Sequence, residues 1–479
     1  MMLAGAALLL LAANGASASA TASVRACAAG LGCVDAPVTV TARAPAPAAL
    51  FDDYSPVSSP HWSHIRTMVT DFYYNWTPTE RAWAAAHYDA EMSGDASAWL
   101  AINPAVQTYP YTLLWTTLIP SATATPNITG TITEDMRAWY ALHPQYSMET
   151  AFLHDTGGVP ADSAHRYTLP IWDSRRWFLN PADSGFMAYS VDRYRRIVAG
   201  SPAGAFIDES GTGDMAKATP SREYLLAAGW PPVSPYFAAY AALVARIRAA
   251  IAPKRLMLNT AGYMFPGDSA DARAAGAVHL EKVNNPLSSN VGSSFAWIDR
   301  LLAAGVFVDF VDAYDYADDS VLVTRGTYPG GNEPTTFARE KMAELASYYL
   351  VVPADPSRLA LQLVNMWDRP FSSVWLKAQE ADIGHPTTAR AIETLATKDA
   401  AGQSVVLYRR DFTRALVLFR TQTGWGTQSY ADSTAVTIPL PAGETWLPLH
   451  ADGSLGSAVT SVPLRNAEAA ILIKGSAIP

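Results

Sequence analysis

The sequence predicts an α/β fold: a (β/α)₈ TIM barrel followed by a C-terminal all-β sandwich. Three observations predict it. Short apolar runs alternate with helical patterns over residues 61–394, polar or acidic residues recur where those runs end, and the helical patterns stop after about residue 395. Strand–helix alternation implies parallel strands joined by crossover helices. A closed barrel fits better than an open doubly wound sheet, because no glycine-rich phosphate loop follows an early strand. Barrels also keep their functional groups at the C-terminal ends of strands. The length of 479 residues suits a barrel plus an accessory module. With 49% hydrophobic and 16% charged residues the chain can bury a large core, which excludes general disorder.

The first residues read as an export signal. MLAGAALLLLAA is an unbroken small-and-apolar run, and NGASASA after it offers small-residue cleavage points near Ala18 or Ala20. A signal peptide over 1–20 is expected, with the mature chain starting between Thr21 and Arg25 and the protein secreted or periplasmic. The run is too short to span a membrane comfortably, and no other stretch is long and apolar enough, so no stable membrane span is expected. Cys27 and Cys33, in ACAAGLGC, suit a short-loop disulfide in an oxidising compartment. Residues 21–60 are rich in Pro and Ala and read as a linker.

Within 61–394 the strand-like runs are Met68–Tyr74, Tyr111–Leu118, Ala205–Asp208, Leu256–Asn259, Val278–Glu281, Val306–Asp312 and Leu359–Val364. Helical patterns fall at Pro78–Tyr88, Glu134–Leu142, Tyr236–Ile251, Ser293–Ala304, Phe337–Tyr349 and Ser372–Ala381, with Gly305 closing the fourth. Phe152–Asp155 and Ile171–Asn180 read either as strands or as excursions. Over 395–479, the runs Val405–Arg410, Ala415–Thr421, Ala435–Leu440, Thr445–His450 and Ala469–Lys474 are separated by turns with no helix between them, which is the pattern of a sandwich.

Acids at strand ends are the pattern by which a barrel supplies paired carboxyls, and glycoside hydrolysis needs two: one protonates the leaving oxygen, the other attacks the anomeric carbon or activates water. Asp208, in GAFIDES, and Glu281, in AVHLEKVNNP, each end a short apolar run and are the expected catalytic pair. Glu209 should face the side opposite Asp208 if extended geometry persists. Asp312 and Asp315, beside Tyr314 in VDFVDAYDYADD, are candidates for the mouth, and Asp71 with Tyr73 for the barrel floor or the subsite of the terminal sugar. Asn259 and Trp367, at later strand ends, and Trp172, in PIWDSRRWFLNP, complete the expected substrate-binding set. The 14 Trp and 22 Tyr supply flat apolar faces suited to sugar rings as well as to core packing.

His61 and His64 have ligand-like spacing but no acid in pattern, and the acidic loop lacks EF-hand spacing, so no metal site and no cofactor are expected. The absence of G-x-S-x-G argues against an α/β-hydrolase esterase. The formal net charge of −9 without Lys/Arg runs gives no reason to expect a nucleic-acid partner. Nothing in the sequence specifies an oligomeric state.

WFLNP at 177–181, the helical stretch with Tyr189, Tyr194 and Arg195, and GAFIDES together resemble a pattern of glycosyl-hydrolase-like barrel families. In these a Leu-Asn-Pro segment precedes a helix, and the next strand ends in an Asp-Gly-Phe-Asp-like motif. More distantly the chain is similar to α-galactosaminidase-type and α-amylase-type barrels. Ala205 stands where the pattern has Asp-Gly. The resemblance implies that Asp208 matches the strand-end acid of such enzymes and Glu281 their later acid. It leaves the sugar open, because these barrels serve many substrates. The expected function is an exported glycoside hydrolase acting on a polysaccharide or oligosaccharide. The competing readings are a non-catalytic carbohydrate-binding protein on a degenerate barrel and a barrel lyase or transglycosidase.

Overall fold

The structure is a computed structural model. It describes residues 18–28, 32–42, 64–70, 77–93, 96–118, 131–154, 162–171, 174–210, 235–260, 266–280, 291–312, 333–363, 375–398, 402, 404–422, 435–466 and 468–477. Met1–Ser55 and Pro56–Pro479 form two compact units. In the first, β1 (Ala18–Ala28) and β2 (Gly32–Ala42) pair antiparallel, with Cys27 opposite Cys33.

The second unit begins with β3 (Met68–Thr70), α1 (Pro78–His87), β4 (Ala90–Ser93), α2 (Ala96–Ile102) and β5 (Gln107–Thr112). An excursion follows: β6 (Thr116–Leu118), α3 (Thr131–Leu142), β7 (Thr168–Ile171) and β8 (Ser174–Phe178). The alternation resumes with α4 (Ser184–Ala199), β9 (Gly204–Ile207), α5 (Pro235–Ile251), β10 (Arg255–Asn259), α6 (Pro266–Ala275), β11 (Gly276–Leu280), α7 (Val291–Ala303), β12 (Phe307–Asp312), α8 (Glu333–Val351) and β13 (Leu359–Leu363).

The eight strands β3, β4, β5, β9, β10, β11, β12 and β13 form one parallel sheet in that order. Thr67 bridges Leu361 in parallel, and Leu361 N donates to Arg66 O at 2.8 Å, so the two edges meet and the sheet closes into the barrel. Alternate residues of each strand take opposite sides. Met68, Met92, Tyr109, Phe206, Met257 and Phe307 fill the barrel. Ala205, Ile207, Leu256 and Leu258 pack outward with α4 and α5, and Val278, Leu280, Val308 and Phe310 with α7 and α8.

The stretch Tyr111–Leu118 is not one strand. Thr112 ends β5, and after Leu113-Leu114-Trp115 the chain enters β6, which pairs with β8 in a separate sheet of order β6-β8-β7. The run stays apolar because Leu113, Leu114 and Trp115 are buried in the core beneath that sheet. The helix expected over Ser372–Ala381 is, in its described part, a 3₁₀ turn at Lys377–Glu380.

The sandwich holds β14 (Ala391–Lys398), β15 (Ser404–Asp411), β16 (Ala415–Gln422), β17 (Val436–Pro439), β18 (Trp446–Pro448), β19 (Ser461–Leu464) and β20 (Ala469–Lys474). A sheet of order β14-β15-β16-β20-β18 faces the pair β17-β19, with Val405, Leu407, Leu418, Ile438, Trp446 and Leu464 between them. Its other face packs on the barrel helices.

Candidate active site

The sequence GAFI is small and apolar because β9 is buried on both sides, between Phe206 inside the barrel and Ala205 and Ile207 outside. Ile207 is in register with Thr112 of β5 and Leu258 of β10. Asp208 extends the ladder by one bond, its N donating to Thr112 O at 2.9 Å, and so stands at the C-terminal mouth of a central strand. Its half-buried carboxylate accepts from three donors. The Tyr111 hydroxyl lies 2.6 Å from Oδ2, Asn259 Nδ2 lies 2.8 Å from Oδ1, and the Glu209 N–H lies 2.7 Å from Oδ1. These three donors fix the direction in which the Asp208 carboxylate faces. Tyr111 comes from β5, where it packs on Phe206 at a ring separation of 5.6 Å. Asn259 is the last residue of β10, and its carbonyl accepts from Ser210 N at 2.9 Å, which ties the turn after Asp208 to the neighbouring strand.

Extended geometry does not persist at Glu209. This residue takes φ 55°, so it does not alternate with Asp208 as a strand residue would. It is buried, and its carboxylate pairs with the Arg176 guanidinium of β8. Trp115 Nε1 donates to its carbonyl at 2.5 Å.

The polar ring continues around the barrel. His279 of β11 is in register with Asn259 on one side and Asp309 of β12 on the other. Its Nδ1 lies 2.6 Å from Asp309 Oδ2. Burial pushes the Asp309 carboxyl up, against the hydrogen bond and charge of His279. Further round, Gln362 of β13 donates to the Thr70 hydroxyl of β3.

The structure therefore brings Asp208, Glu209 and Asn259 together. Asp312 is the last residue of β12. Asp71, Tyr73, Trp172, Glu281, Tyr314, Asp315 and Trp367 lie outside the described residues. Tyr111 and His279 are site residues that sequence reasoning missed. Each is two residues along its strand from a side chain facing the barrel interior, Tyr109 and Ala277, and that period of two was the available signal. Among the described residues no group of three His, Cys, Asp or Glu is placed to hold a metal ion, and no helix is long and apolar enough to cross a membrane.

No family model matches the chain, and no curated protein does. The fold is an eight-stranded parallel barrel with polar groups at its C-terminal mouth. Among solved structures, the chain is similar to trehalose-6-phosphate hydrolase of Bacillus licheniformis at 7% identity, with 86% of this chain and 99% of that one covered and a TM-score of 0.48. It is similar to an α-amylase of Malbranchea cinnamomea at 8% identity, covering 86% and 97%, with a TM-score of 0.42. It is also similar to an α-galactosidase of Thermus thermophilus at 11% identity, covering 73% and 65%, with a TM-score of 0.36.

Proposed function

We propose that this protein is an exported glycoside hydrolase of a polysaccharide or oligosaccharide, with Asp208 as its ionised carboxylate and Glu281 as the second acid. One observation carries the reading: a carboxylate at the C-terminal end of a barrel strand, held by Tyr111, Asn259 and the Glu209 N–H. Three donors fix its direction, and a carboxylate so held is what a group opposing an oxocarbenium-like transition state needs. Asp208 then attacks the anomeric carbon or takes the proton of the attacking water. Glu281, next in sequence after Leu280 at the end of β11, gives its proton to the leaving oxygen. The separation of the two carboxyls decides between these courses: roughly 5 Å for retention and roughly 6.5–9.5 Å for inversion. The apolar run near the N-terminus supports export.

The test is Asp208→Asn on whichever glycan a screen shows the wild type to cleave. The side chain keeps its shape and loses its charge, so kcat should fall at least about 100-fold while the thermal midpoint holds or rises. Near-wild-type turnover would move the site elsewhere, with Asp312 and Asp315 next to be changed. A glycan that binds without cleavage, equally well to wild type and variant, would favour the carbohydrate-binding reading.

A further inference from the structure

Glu209 is the one residue other than glycine with positive φ among the described residues. A residue with a long side chain persists in that sparsely populated region when its surroundings over-determine it. Here they do so from three directions. Trp115 Nε1 holds its carbonyl at 2.5 Å, the Arg176 guanidinium holds its carboxylate, and its own N–H is spent on Asp208 Oδ1 at 2.7 Å. Trp115 directly precedes β6 and Arg176 lies on β8, and these strands are paired, with Leu118 opposite Arg176. Both clamping groups thus come from the excursion inserted between β5 and β9. Arg176 and Glu209 are each 8% exposed, so the pair is built into the interior beside the barrel mouth.

We propose that Glu209 is a positioning residue for Asp208, and that the inserted sheet is the clamp that holds Glu209 in its left-handed turn. This rests on the reading of Asp208 as the reactive carboxylate. The clamp fixes the turn that aims the Glu209 N–H at Asp208 Oδ1. Loosening it lets the turn relax toward negative φ and frees the carboxylate to rotate. The Glu209 carboxylate, engaged by Arg176 and buried, acts through the turn and not by touching sugar. Among the described residues, the titratable and charged groups on the elements around Asp208 include Tyr109 and Tyr111 of β5, Arg176 of β8, Glu209 beside it, Arg255 of β10, His279 of β11 and Asp309 of β12.

Four variants of the full chain test the clamp: Arg176→Met, the double change Arg176→Met with Glu209→Gln, Glu209→Gly and Glu209→Ala. The double change leaves no unpaired buried charge, and so keeps the test open if Arg176→Met does not fold. Loosening the clamp should lower kcat about tenfold to a hundredfold, the scale of a small misplacement of a reacting group, while KM stays within about twofold. The acid limb of the kcat/KM profile should move to higher pH, since the carboxylate has lost a donor. Glu209→Gly accepts positive φ without strain, so it should keep several-fold more activity than Glu209→Ala, although both lose the carboxylate. A raised KM with unchanged kcat would make Glu209 a substrate contact and overturn the proposal. A second readout needs no substrate: titration of the Asp208 carboxyl carbon in protein labelled at aspartate, its resonance identified by its loss in Asp208→Asn. That titration should move to higher pH in the double variant, and an unmoved curve refutes the clamp. If Asp208→Asn keeps full activity the glycosidase reading fails, yet the carboxyl titration still decides on the clamp.

Discussion

Asp309 has none of its surface exposed, and its one described side-chain partner is His279. Removing a carboxylate from water costs several kcal/mol, and attraction to a neighbour offsets this only in good geometry. Burial accordingly pushes its titration above the ordinary range, against the pull of His279. The folded protein therefore holds the proton at pH values where the unfolded chain has released it. That contribution to stability is fully present below the unfolded pKa of about 4 and is lost as pH rises through the folded value. Asp309→Asn keeps the shape and cannot ionise. Its denaturation midpoint relative to wild type should therefore climb between pH 4 and pH 7, as urea titrations across that range would show. A gap that shrinks instead would mean that the His279–Asp309 attraction outweighs the burial. Legibility in sequence follows the same physics. Asp208 and Asn259 could be read because a polar residue ending an apolar run is costly unless it faces a polar cavity. The pairing of Arg176 with Glu209 could not, because Arg176 lies on the inserted sheet and Glu209 in the turn after β9, and only the fold brings them together.

At the scale of the element, β9 and β10 approach so closely at their beginnings that only glycine fits. A Cβ on Gly204 would stand 1.9 Å from the Arg255 carbonyl oxygen. Gly204→Ala must push the two strands apart, and these strands carry Asp208 and Asn259 at their far ends. The expected loss is at least about 1–3 kcal/mol, the usual scale of overpacking, together with reduced activity. Gly200→Ala is the control, since a Cβ there meets nothing within 4 Å. Equal urea midpoints for the two variants would refute the close approach. Gly305 serves differently: at φ 80° it closes α7, its N–H bonding Leu302 O at 3.0 Å while Val306 N bonds Leu301 O at 3.0 Å. That helix end could be read in sequence. Strand β4 could not, because AEMS carries no apolar run and buries Glu91. The break between β5 and β6 was hidden for the opposite reason: the connecting Leu113-Leu114-Trp115 is as apolar as a strand, and apolar content alone does not show a change of sheet.

At the scale of the whole molecule, the composition change near residue 395 marks where the barrel pattern ends but conceals how much the two parts share. Along β15 and β16 successive residues serve two cores. Val405, Leu407, Leu416 and Leu418 line the sandwich, while Val406, Tyr408, Val417 and Phe419 join a core that also holds Phe295 of α7, Tyr349 of α8 and Val308 of β12. The unbroken apolar runs VVLY and ALVLF are the sequence form of strands covered on both faces. Polar bonds reinforce the joint. Arg410 Nη1 reaches the carbonyls of Tyr349 at 3.1 Å, Leu350 at 3.1 Å and Val352 at 2.7 Å, and Arg390 Nη1 reaches Leu350 at 3.1 Å. Tyr349 and Leu350 belong to the last turn of α8, whose carbonyls have no partner within the helix, and Val352 directly follows it. A core continuous across both parts should make residues 56–479 unfold in one cooperative step, with fluorescence and circular dichroism coinciding. Arg410→Met should lower stability by about 1–3 kcal/mol, the cost of buried acceptors left unmade, without splitting that step. A chain ending at Lys398 exposes the outer face of α8 and strips its terminal carbonyls of Arg410, so it should melt without a cooperative transition. Two separate steps in the full chain, or a truncated barrel that melts as sharply as the whole, would show instead that the sandwich is an appendage and that the barrel carries its own stability.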